Sequence, residues 1–151
     1  KKTARIIINH CLEHQIGNLV VGYNEDFKRN INIGKKNNQQ FTQVPFGNLR
    51  EQLSNLCEHY GIFYKEQEES YTSKASFFDN DEMPKWNPAD ETGYQFSGKR
   101  VKRGLYRTST GYEFNADING ALNILRKSNL LDTRILQARG SLARPSRIRV
   151  K

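Results

Sequence analysis

The start of the chain combines one amphipathic stretch with one short apolar run. In residues 3–16 the apolar side chains recur at the spacing of one helix face, at Ala4, Ile7, Ile8, Cys11 and Leu12. Gly17 and Asn18 follow, and a glycine there is a common signal for the end of a helix. The run LVVGY at 19–23 is almost continuously apolar. The pattern predicts a helix over 3–16 and then a strand covered on both faces, as in a parallel or mixed sheet.

The clearest helical pattern covers residues 46–60. Its apolar side chains follow one face, at Leu49, Leu53, Leu56, Cys57 and Tyr60. Gly61 ends this helix, and IFYKEQEE is typical of a strand. Strand, helix and strand in this order predict a βαβ-like unit around a sheet. Ligands of such units bind beyond the carboxyl ends of the strands, where Glu68 and Glu69 stand, and these acids are either metal ligands or a solvated strand end.

The second half of the chain is less regular. Residues 75–98 have no clear periodicity, which predicts an irregular insertion or a small hairpin. A helical stripe follows them at Ile118, Ala121, Leu122 and Leu125. Asp117 lies in the first turn of this helix, where the helix dipole favours an anion. As a cap or a first-turn acid, Asp117 needs no further function.

The composition favours a nucleic-acid partner. The 151 residues carry 24 Lys and Arg against 16 Asp and Glu, which gives a formal charge of +8. A protein this basic usually binds a polyanion, and the alternative is a basic surface that serves solubility. No run is apolar enough to span a membrane, and the start of the chain is helical rather than a signal peptide. Cys11 and Cys57 form no CxxC pair, so we expect reduced, buried thiols in an intracellular protein.

Basic residues cluster in three segments. The run KRVKRGLYR at 99–107 places Tyr106 among basic residues, which suits a surface that follows a nucleic-acid backbone, and a strand with charged outward positions is the alternative. Residues 24–40 are predicted to form a mobile loop. Its basic residues, which either contact phosphates or face water, are Lys28, Arg29, Lys35 and Lys36. The tail from Arg134 onward has no acid, which predicts a disordered or nucleic-acid-bound arm.

Four segments carry a resemblance to a known family. They are LVVGYNEDFK, QEESYTSKASF, GKRVKRGLYR and NADINGALNILRK. In this order they resemble the C-terminal half of the TnpB (OrfB) proteins of insertion sequences, which are transposon-encoded nucleases related to type V CRISPR effectors. The likeness covers roughly residues 1–128, and its most specific pieces are YTSK and DINGALNI, about forty residues apart.

The resemblance implies a partial RuvC-type nuclease domain with an RNase H-like α/β fold, a central sheet and flanking helices. The segments would be a RuvC-like nuclease segment at 1–74, a degenerate zinc-ribbon-like insertion at 75–110, the final RuvC-like helix at 111–128 and a basic tail at 129–151. The resemblance also implies cleavage of DNA with two divalent ions, Mg²⁺ or Mn²⁺, and a guide RNA in the full-length protein.

Carried over residue by residue, the resemblance identifies two carboxylates as catalytic residues and metal ligands. Asp117 matches the family's last catalytic aspartate, which opens a helix. Glu69 matches the middle glutamate of rearranged members, which stands shortly before TSK, and Glu68 is the alternative. The first catalytic aspartate would lie on a strand before residue 1. We therefore expect this chain alone to bind metal weakly and not to cut DNA.

The resemblance also bears on zinc and nucleic acid. The family's zinc ribbon has cysteines after TSK, whereas here Ala75–Phe78 follow and the insertion contains no Cys or His, so we expect no zinc. The insertion would instead be held by apolar residues, namely Phe77, Phe78, Trp86, Tyr94 and Phe96. The expected nucleic-acid-binding residues are Lys74, Lys99, Arg100, Lys102, Arg103 and Arg107.

Two functions from different classes follow. One is the C-terminal part of a transposon-encoded, RNA-guided, metal-dependent DNA endonuclease, located in the cytoplasm and associated with the nucleoid. The other is a non-catalytic nucleic-acid-binding module derived from such a protein, which keeps the fold and not the cleavage activity.

Overall fold

The computed structural model describes residues 2–24, 46–87, 89 and 92–137. The chain divides between Glu66 and Gln67 into two compact units, which we call unit 1 and unit 2. Apart from Asn24, the predicted loop at 24–40 lies outside the described residues, as does the tail beyond Gln137. The domain boundaries expected at 74, 110 and 128 stay predictions. Within the described part, no helix combines the length and apolar character needed to cross a membrane.

The described residues of unit 1 form two helices and a two-stranded sheet, close to the predicted pattern. The elements are α1 (Lys2–Glu13), β1 (Asn18–Tyr23), α2 (Phe46–Tyr60) and β2 (Phe63–Glu68), which ends just inside unit 2. β1 and β2 are hydrogen-bonded neighbours. The amide of Phe63 donates to the carbonyl oxygen of Gly17 (2.8 Å), so the two strands begin side by side. Gly61 turns the chain from α2 into β2 with a φ of +69°, which glycine adopts most readily.

The core of unit 1 is apolar. Its buried side chains are Ala4, Ile8, Cys11, Leu53, Cys57 and Ile62. Both cysteines are free and buried, as predicted, and burial raises the pKa of each thiol. Two expectations are wrong. Leu12 is 43 % exposed because it lies at the edge of the stripe that α1 buries, and β1 is half-buried rather than covered on both faces.

In unit 2 the residues that the structure describes form three short strands and two helices. They are β3 (Lys99–Lys102), β4 (Leu105–Arg107), β5 (Glu113–Asn115), α3 (Ala116–Ser128) and α4 (Arg134–Gln137). The strands form an antiparallel sheet in the order β3-β4-β5. Gly104, with a φ of +76°, makes the tight turn between β3 and β4. The run 99–107 is therefore a β-hairpin, which we call the basic hairpin.

The insertion before the basic hairpin runs through turns and bends, and the described residues of 69–98 contain no helix or strand. The predicted irregular insertion is thus confirmed there. One apolar cluster of unit 2 consists of Tyr106, Phe114 and Ala116, with Phe78 and Ile118 packed against it. Phe77 is fully buried, as expected, but Trp86 is 47 % exposed, so its predicted role in holding the insertion is wrong. The aromatic contacts form instead between Tyr71 and the pair Tyr94 and Phe96.

The mixed α/β class is confirmed. Over the ranges that the structure describes, the strands form two separate sheets of two and three strands rather than one central sheet. Short turns join β3 to β4 and β4 to β5, and short connections favour antiparallel pairing of neighbours. The C-terminal strands therefore pair with one another.

Candidate functional site

The stretch YTSK forms a tight turn after β2. The amide and the hydroxyl of Thr72 both donate to the carbonyl oxygen of Glu69, at 3.2 and 2.8 Å. The amides of Lys74 and Ala75 donate to the carbonyl oxygen of Tyr71, at 2.9 and 2.8 Å. Tyr71 has a φ of +65°, which is uncommon for an aromatic residue. Thr72 and Ala75 are buried while Lys74 is exposed, so the YTSK turn has one inner and one outer side.

Two buried asparagines on α3 bind the YTSK turn and the residues after it. Asn119 and Asn123 are one helical turn apart and share a face. Asn119 Oδ1 accepts from the amide of Phe77 (3.0 Å), and its Nδ2 donates to the carbonyl oxygen of Ala75 (2.8 Å). Asn123 Nδ2 donates to the carbonyl oxygens of Thr72 (2.9 Å) and Ala75 (2.8 Å). The sequence analysis missed these roles, although two asparagines at i and i+4 within an apolar stripe are the signal for them.

Glu68, at the end of β2, is held by the last turn of α3. Its Oε2 accepts from Nζ of Lys127 (2.6 Å), which also donates to the carbonyl oxygen of Ser70 (3.0 Å). Its Oε1 accepts from the amide of Ser70 (2.5 Å). Burial acts to raise the pKa of Glu68, but the hydrogen bonds from Lys127 and Ser70 outweigh it, so the pKa is lowered. Glu68 therefore has a counterion and a structural contact.

Glu69 is in a different environment from its neighbour. Its side chain is half-buried, and its pKa is raised, first by burial and then by the negative charge of Glu68. A cation bound at Glu69 would offset both effects. Of the two adjacent acids, Glu69 is thus the one whose charge no described residue compensates.

Asp117 lies in the first turn of α3, as predicted, but the N-cap of this helix is Asn115. Asn115 Oδ1 accepts from the amides of Asp117 (2.8 Å) and Ile118 (3.1 Å). The Asp117 side chain is 85 % exposed, and its Oδ1 lies 3.7 Å from a guanidinium nitrogen of Arg100. Exposed pairs of this kind contribute little to stability. The Asp117 carboxylate therefore has no capping role and is open to solvent.

The two predicted metal ligands are associated with opposite ends of α3. Glu68 and Ser70, on either side of Glu69, contact Lys127 in the last turn of α3. Asp117 lies in the first turn, about 15 Å from Lys127 along the helix axis. In the part of the chain that the structure describes, no three His, Cys, Asp or Glu side chains come together as metal ligands would. A metal site shared by Glu69 and Asp117 therefore stays a prediction.

The basic hairpin carries its charges outward. Its exposed basic residues are Lys99, Arg100, Lys102, Arg103 and Arg107. Together with the exposed Lys74, these are all of the predicted nucleic-acid-binding residues. The Arg107 guanidinium is paired with Glu113 on the neighbouring strand β5. The charge of Arg107 is thus partly neutralised within the sheet.

Tyr106, the aromatic residue of the basic hairpin, is fully buried and offers no surface for base stacking. It pairs across the sheet with Phe114 of the core. Its hydroxyl donates to the carbonyl oxygen of Lys74 (2.7 Å), and burial is the main cause that raises its pKa to about 12. Gly98 allows this placement, because a Cβ there would lie 2.6 Å from the Tyr106 ring. Tyr106 fixes the hairpin to the YTSK turn.

Residues 46–124 match the family model described as Cas12f1-like, TNB domain. The matched segment begins with α2 and ends inside α3, so it contains the YTSK turn, the basic hairpin, Glu69 and Asp117. It also contains Asn119 and Asn123, whereas Lys127 lies beyond it. No curated protein matches the chain.

Proposed function

Because the chain belongs to the Cas12f1-like, TNB domain family, whose model matches more than half of its 151 residues, we propose that it is the nucleic-acid-binding C-terminal part of a TnpB-type nuclease from a mobile element. DNA is the proposed partner, with a guide RNA in the full-length protein. The proposed fold is a partial RuvC-type, RNase H-like domain. The proposed location is the cytoplasm, in association with the nucleoid.

The observation that carries the proposal is the basic hairpin. Lys99, Lys102 and Arg103 are exposed on one short hairpin, and Arg100 is exposed beside them. Tyr106 holds this hairpin against the YTSK turn and Gly98 leaves room for its ring, so the cations are presented by a fixed backbone. Fixed cations at this density suit contacts with the phosphates of a nucleic-acid backbone. Such contacts do not depend on the base sequence.

Neutralisation of the hairpin tests the proposal. Lys99, Arg100, Lys102 and Arg103 are all changed to Gln, and binding to labelled single-stranded and duplex DNA is titrated over a range of salt concentrations. Each phosphate contact that is lost should reduce the slope of log affinity against log salt by about 0.7 to 0.9. The slope should therefore fall by about 3, and affinity at low salt should fall by at least about tenfold.

A matched pair of single variants provides the control. Lys102→Gln removes a charge from the hairpin, whereas Lys85→Gln removes a charge, which is also exposed, from the insertion. Only the first should change the salt slope. If the fourfold variant binds with the affinity and salt slope of the parent chain, the basic hairpin is a solvated surface and the proposed function is wrong.

Catalysis is the finer part of the proposal, with Glu69 and Asp117 as ligands of Mg²⁺ or Mn²⁺. The donor chemistry fits, because Glu69 carries an uncompensated charge and the Asp117 carboxylate is open to solvent. Glu68 fits less well, since Lys127 and Ser70 occupy its oxygens. When bound, the ions would activate water and stabilise the leaving oxygen of a phosphodiester.

A non-catalytic binding module is the second candidate, and one observation favours it. Arg100 lies 3.7 Å from Asp117 and supplies a positive charge where a metal ion would otherwise be bound. The two candidate functions predict different effects of Mn²⁺ on the NMR spectrum of the chain. Under the catalytic proposal, Mn²⁺ should broaden the NMR signals of Glu69 and Asp117 selectively, and Asp117→Asn should abolish this broadening. In the full-length protein, Asp117→Asn should abolish DNA cleavage while DNA binding stays within about twofold. No broadening at either residue would favour the binding module.

A further inference from the structure

Both ends of the basic hairpin are attached to one turn of the insertion. Ser97 stands just before β3 and Ser109 just after β4. The amide of Ser97 donates to Asp81 Oδ2 (3.0 Å), and its hydroxyl donates to Asp81 Oδ1. The amide of Ser109 donates to Asp79 Oδ2 (3.0 Å), and its hydroxyl donates to Asp79 Oδ1. Each carboxylate thus binds one end of the hairpin through the amide and the hydroxyl of the same serine.

The turn that carries these two acids is itself fixed within unit 2. The amide of the fully buried Ser76 donates to Asp81 Oδ2 (2.8 Å), and the Ser76 hydroxyl donates to Asp79 Oδ2. Arg126 on α3 donates to Asn80 Oδ1 (2.9 Å) and to the carbonyl oxygen of Asp81 (2.7 Å). The same guanidinium lies over the ring of Phe77, 5.6 Å from its centroid. The turn 76–81 therefore ties the hairpin ends to helix α3.

We infer that Asp79 and Asp81 are positioning residues for nucleic-acid binding, which act as a carboxylate clamp on both ends of the basic hairpin. This inference rests on the proposed function, since it concerns how the hairpin is held for binding. Neither acid touches the nucleic acid. Each acid keeps the cations of β3 and β4 in one arrangement. The cations then bind phosphates without the entropic cost of ordering the hairpin first.

The charge of the clamp residues makes the inference specific. An acid close to a cationic binding surface weakens the attraction of that surface for a polyanion. Two acids at the base of the hairpin are therefore unfavourable for binding unless they hold the hairpin in place. Ionised acceptors make the stronger hydrogen bonds, and the hydrogen bonds from Ser109 and Ser76 outweigh burial to lower the pKa of Asp79. Asp79 is therefore ionised at neutral pH.

The sign of the change in affinity separates a clamp from a simple charge effect. Asp79→Ala and Asp81→Ala each remove one negative charge, and so does Glu82→Ala at an exposed site in the same segment. Electrostatics alone predicts that all three variants bind DNA more tightly. The clamp predicts that the first two bind about tenfold more weakly, because the hairpin would be in its binding arrangement for only about a tenth of the time. Glu82→Ala should bind with unchanged or up to about twofold higher affinity.

Two further arms separate the hydrogen bonds from the charge: the serine variants remove hydrogen bonds and keep the charge, and the asparagine variants neutralise the carboxylate and keep one acceptor. Ser97→Ala and Ser109→Ala delete the hydroxyl donors, and each should weaken binding by about threefold while the salt slope stays the same. Asp79→Asn and Asp81→Asn retain one acceptor oxygen, so each should lie between the parent chain and its alanine variant. Amide hydrogen exchange of residues 97–109 should rise in every clamp variant and stay at the parent level in Glu82→Ala.

The outcomes distinguish the clamp from the function on which it rests. If the fourfold Gln variant of the hairpin loses affinity and the Asp79 and Asp81 variants bind as tightly as Glu82→Ala, the clamp is wrong and the proposed function stands. If the fourfold variant loses no affinity, the proposed function itself is wrong. If an alanine variant does not fold, the serine variants decide, and unchanged affinity in both of them overturns the clamp.

Discussion

Unit 1 and unit 2 bury different kinds of side chain. Among the described residues of unit 1, those that are fully buried are apolar, with Ile8 and Cys57 among the largest. In unit 2 the fully buried set includes Asn119, Asn123 and Ser76 beside two aromatic residues. Apolar packing has no preferred direction, whereas each hydrogen bond fixes a donor against an acceptor. Unit 2 therefore defines the positions of its loops more closely than apolar packing alone would allow.

This difference matters because the predicted metal ligands and the basic hairpin all lie in unit 2. The YTSK turn, the ends of the basic hairpin and Glu68 are each held by a polar side chain from another segment. Such contacts position a surface loop without a thick layer of apolar residues beneath it. They also make the position depend on single atoms, so single substitutions can test the comparison.

The largest effect is expected from Asn119→Leu. This substitution replaces a buried hydrogen-bonding side chain of unit 2 with an apolar one of the kind that unit 1 buries. The leucine has about the same length, but the amide of Phe77 and the carbonyl oxygen of Ala75 would be left buried without partners. The free energy of unfolding should fall by about 3 kcal/mol. Chemical denaturation measures the loss. Leu53→Met in the core of unit 1 is the control and should cost less than about 1.5 kcal/mol. Equal losses for both variants would contradict the comparison.

The adjacent acids Glu68 and Glu69 should respond to the same substitution with opposite signs. Glu68→Gln removes the counterion of Lys127, whose side chain is 11 % exposed, and should destabilise the chain by about 1 to 2 kcal/mol. Glu69→Gln removes a charge that burial and Glu68 disfavour, and should stabilise it by about 0.5 kcal/mol at neutral pH. Thermal unfolding of the two variants measures both changes. Destabilisation by Glu69→Gln would show that Glu69 has a structural role.

Acid should loosen unit 2 before unit 1. The pKa of Asp79 is lowered in the folded chain, so its stabilisation is fully present above the ordinary aspartate value of about 3.9 and is lost as the pH falls through the lowered value. Glu68 acts in the same direction. Hydrogen exchange of the basic-hairpin amides should therefore rise below about pH 4, while the amides of α1 and α2 stay protected. Asp79→Asn, which cannot titrate, should remove part of this pH dependence.

The smallest expected effect is that of zinc removal. Residues 75–98 contain no Cys or His, and the carboxylates of Asp79 and Asp81 already join the insertion to the hairpin ends. Treatment with a chelator should leave the melting temperature of the purified chain unchanged within about 1 °C. Metal analysis of the purified protein gives an independent measurement. Stoichiometric zinc bound by residues 75–98 would overturn the prediction.

Much of the secondary structure could be predicted because apolar periodicity reports which face of an element is buried. The pattern of Leu49, Leu53 and Leu56 located α2 at the bounds that the structure gives. The same reasoning located β1, β2 and the first turn of α3. It could not show that Tyr106 is buried, because a tyrosine among lysines and arginines is compatible with either face of a strand.

The polar contacts of the site could not be predicted for a different reason. Asn119 and Phe77 are 42 residues apart, and nothing local in either segment indicates the other. The pairing of Glu68 with Lys127 joins residues 59 apart in the same way. Such contacts depend on how the YTSK turn lies along α3, which is a result of tertiary packing. The residue types of the candidate site were therefore predictable, and their partners were not.

Helix α3 makes contacts near its middle and near both ends, so a tilt of the helix as a rigid body would move its two ends in opposite directions, as in a lever. Its 13 residues span about 20 Å, with Asp117 at one end and Lys127, which holds Glu68, at the other. Asn119 and Asn123 bind the YTSK turn between these ends and act as the fulcrum. A tilt of about 10° around the fulcrum would displace the two ends by about 1 to 2 Å in opposite directions. Under the catalytic proposal, displacements of that size would be large, so a force on either end of α3 would change the geometry at the other.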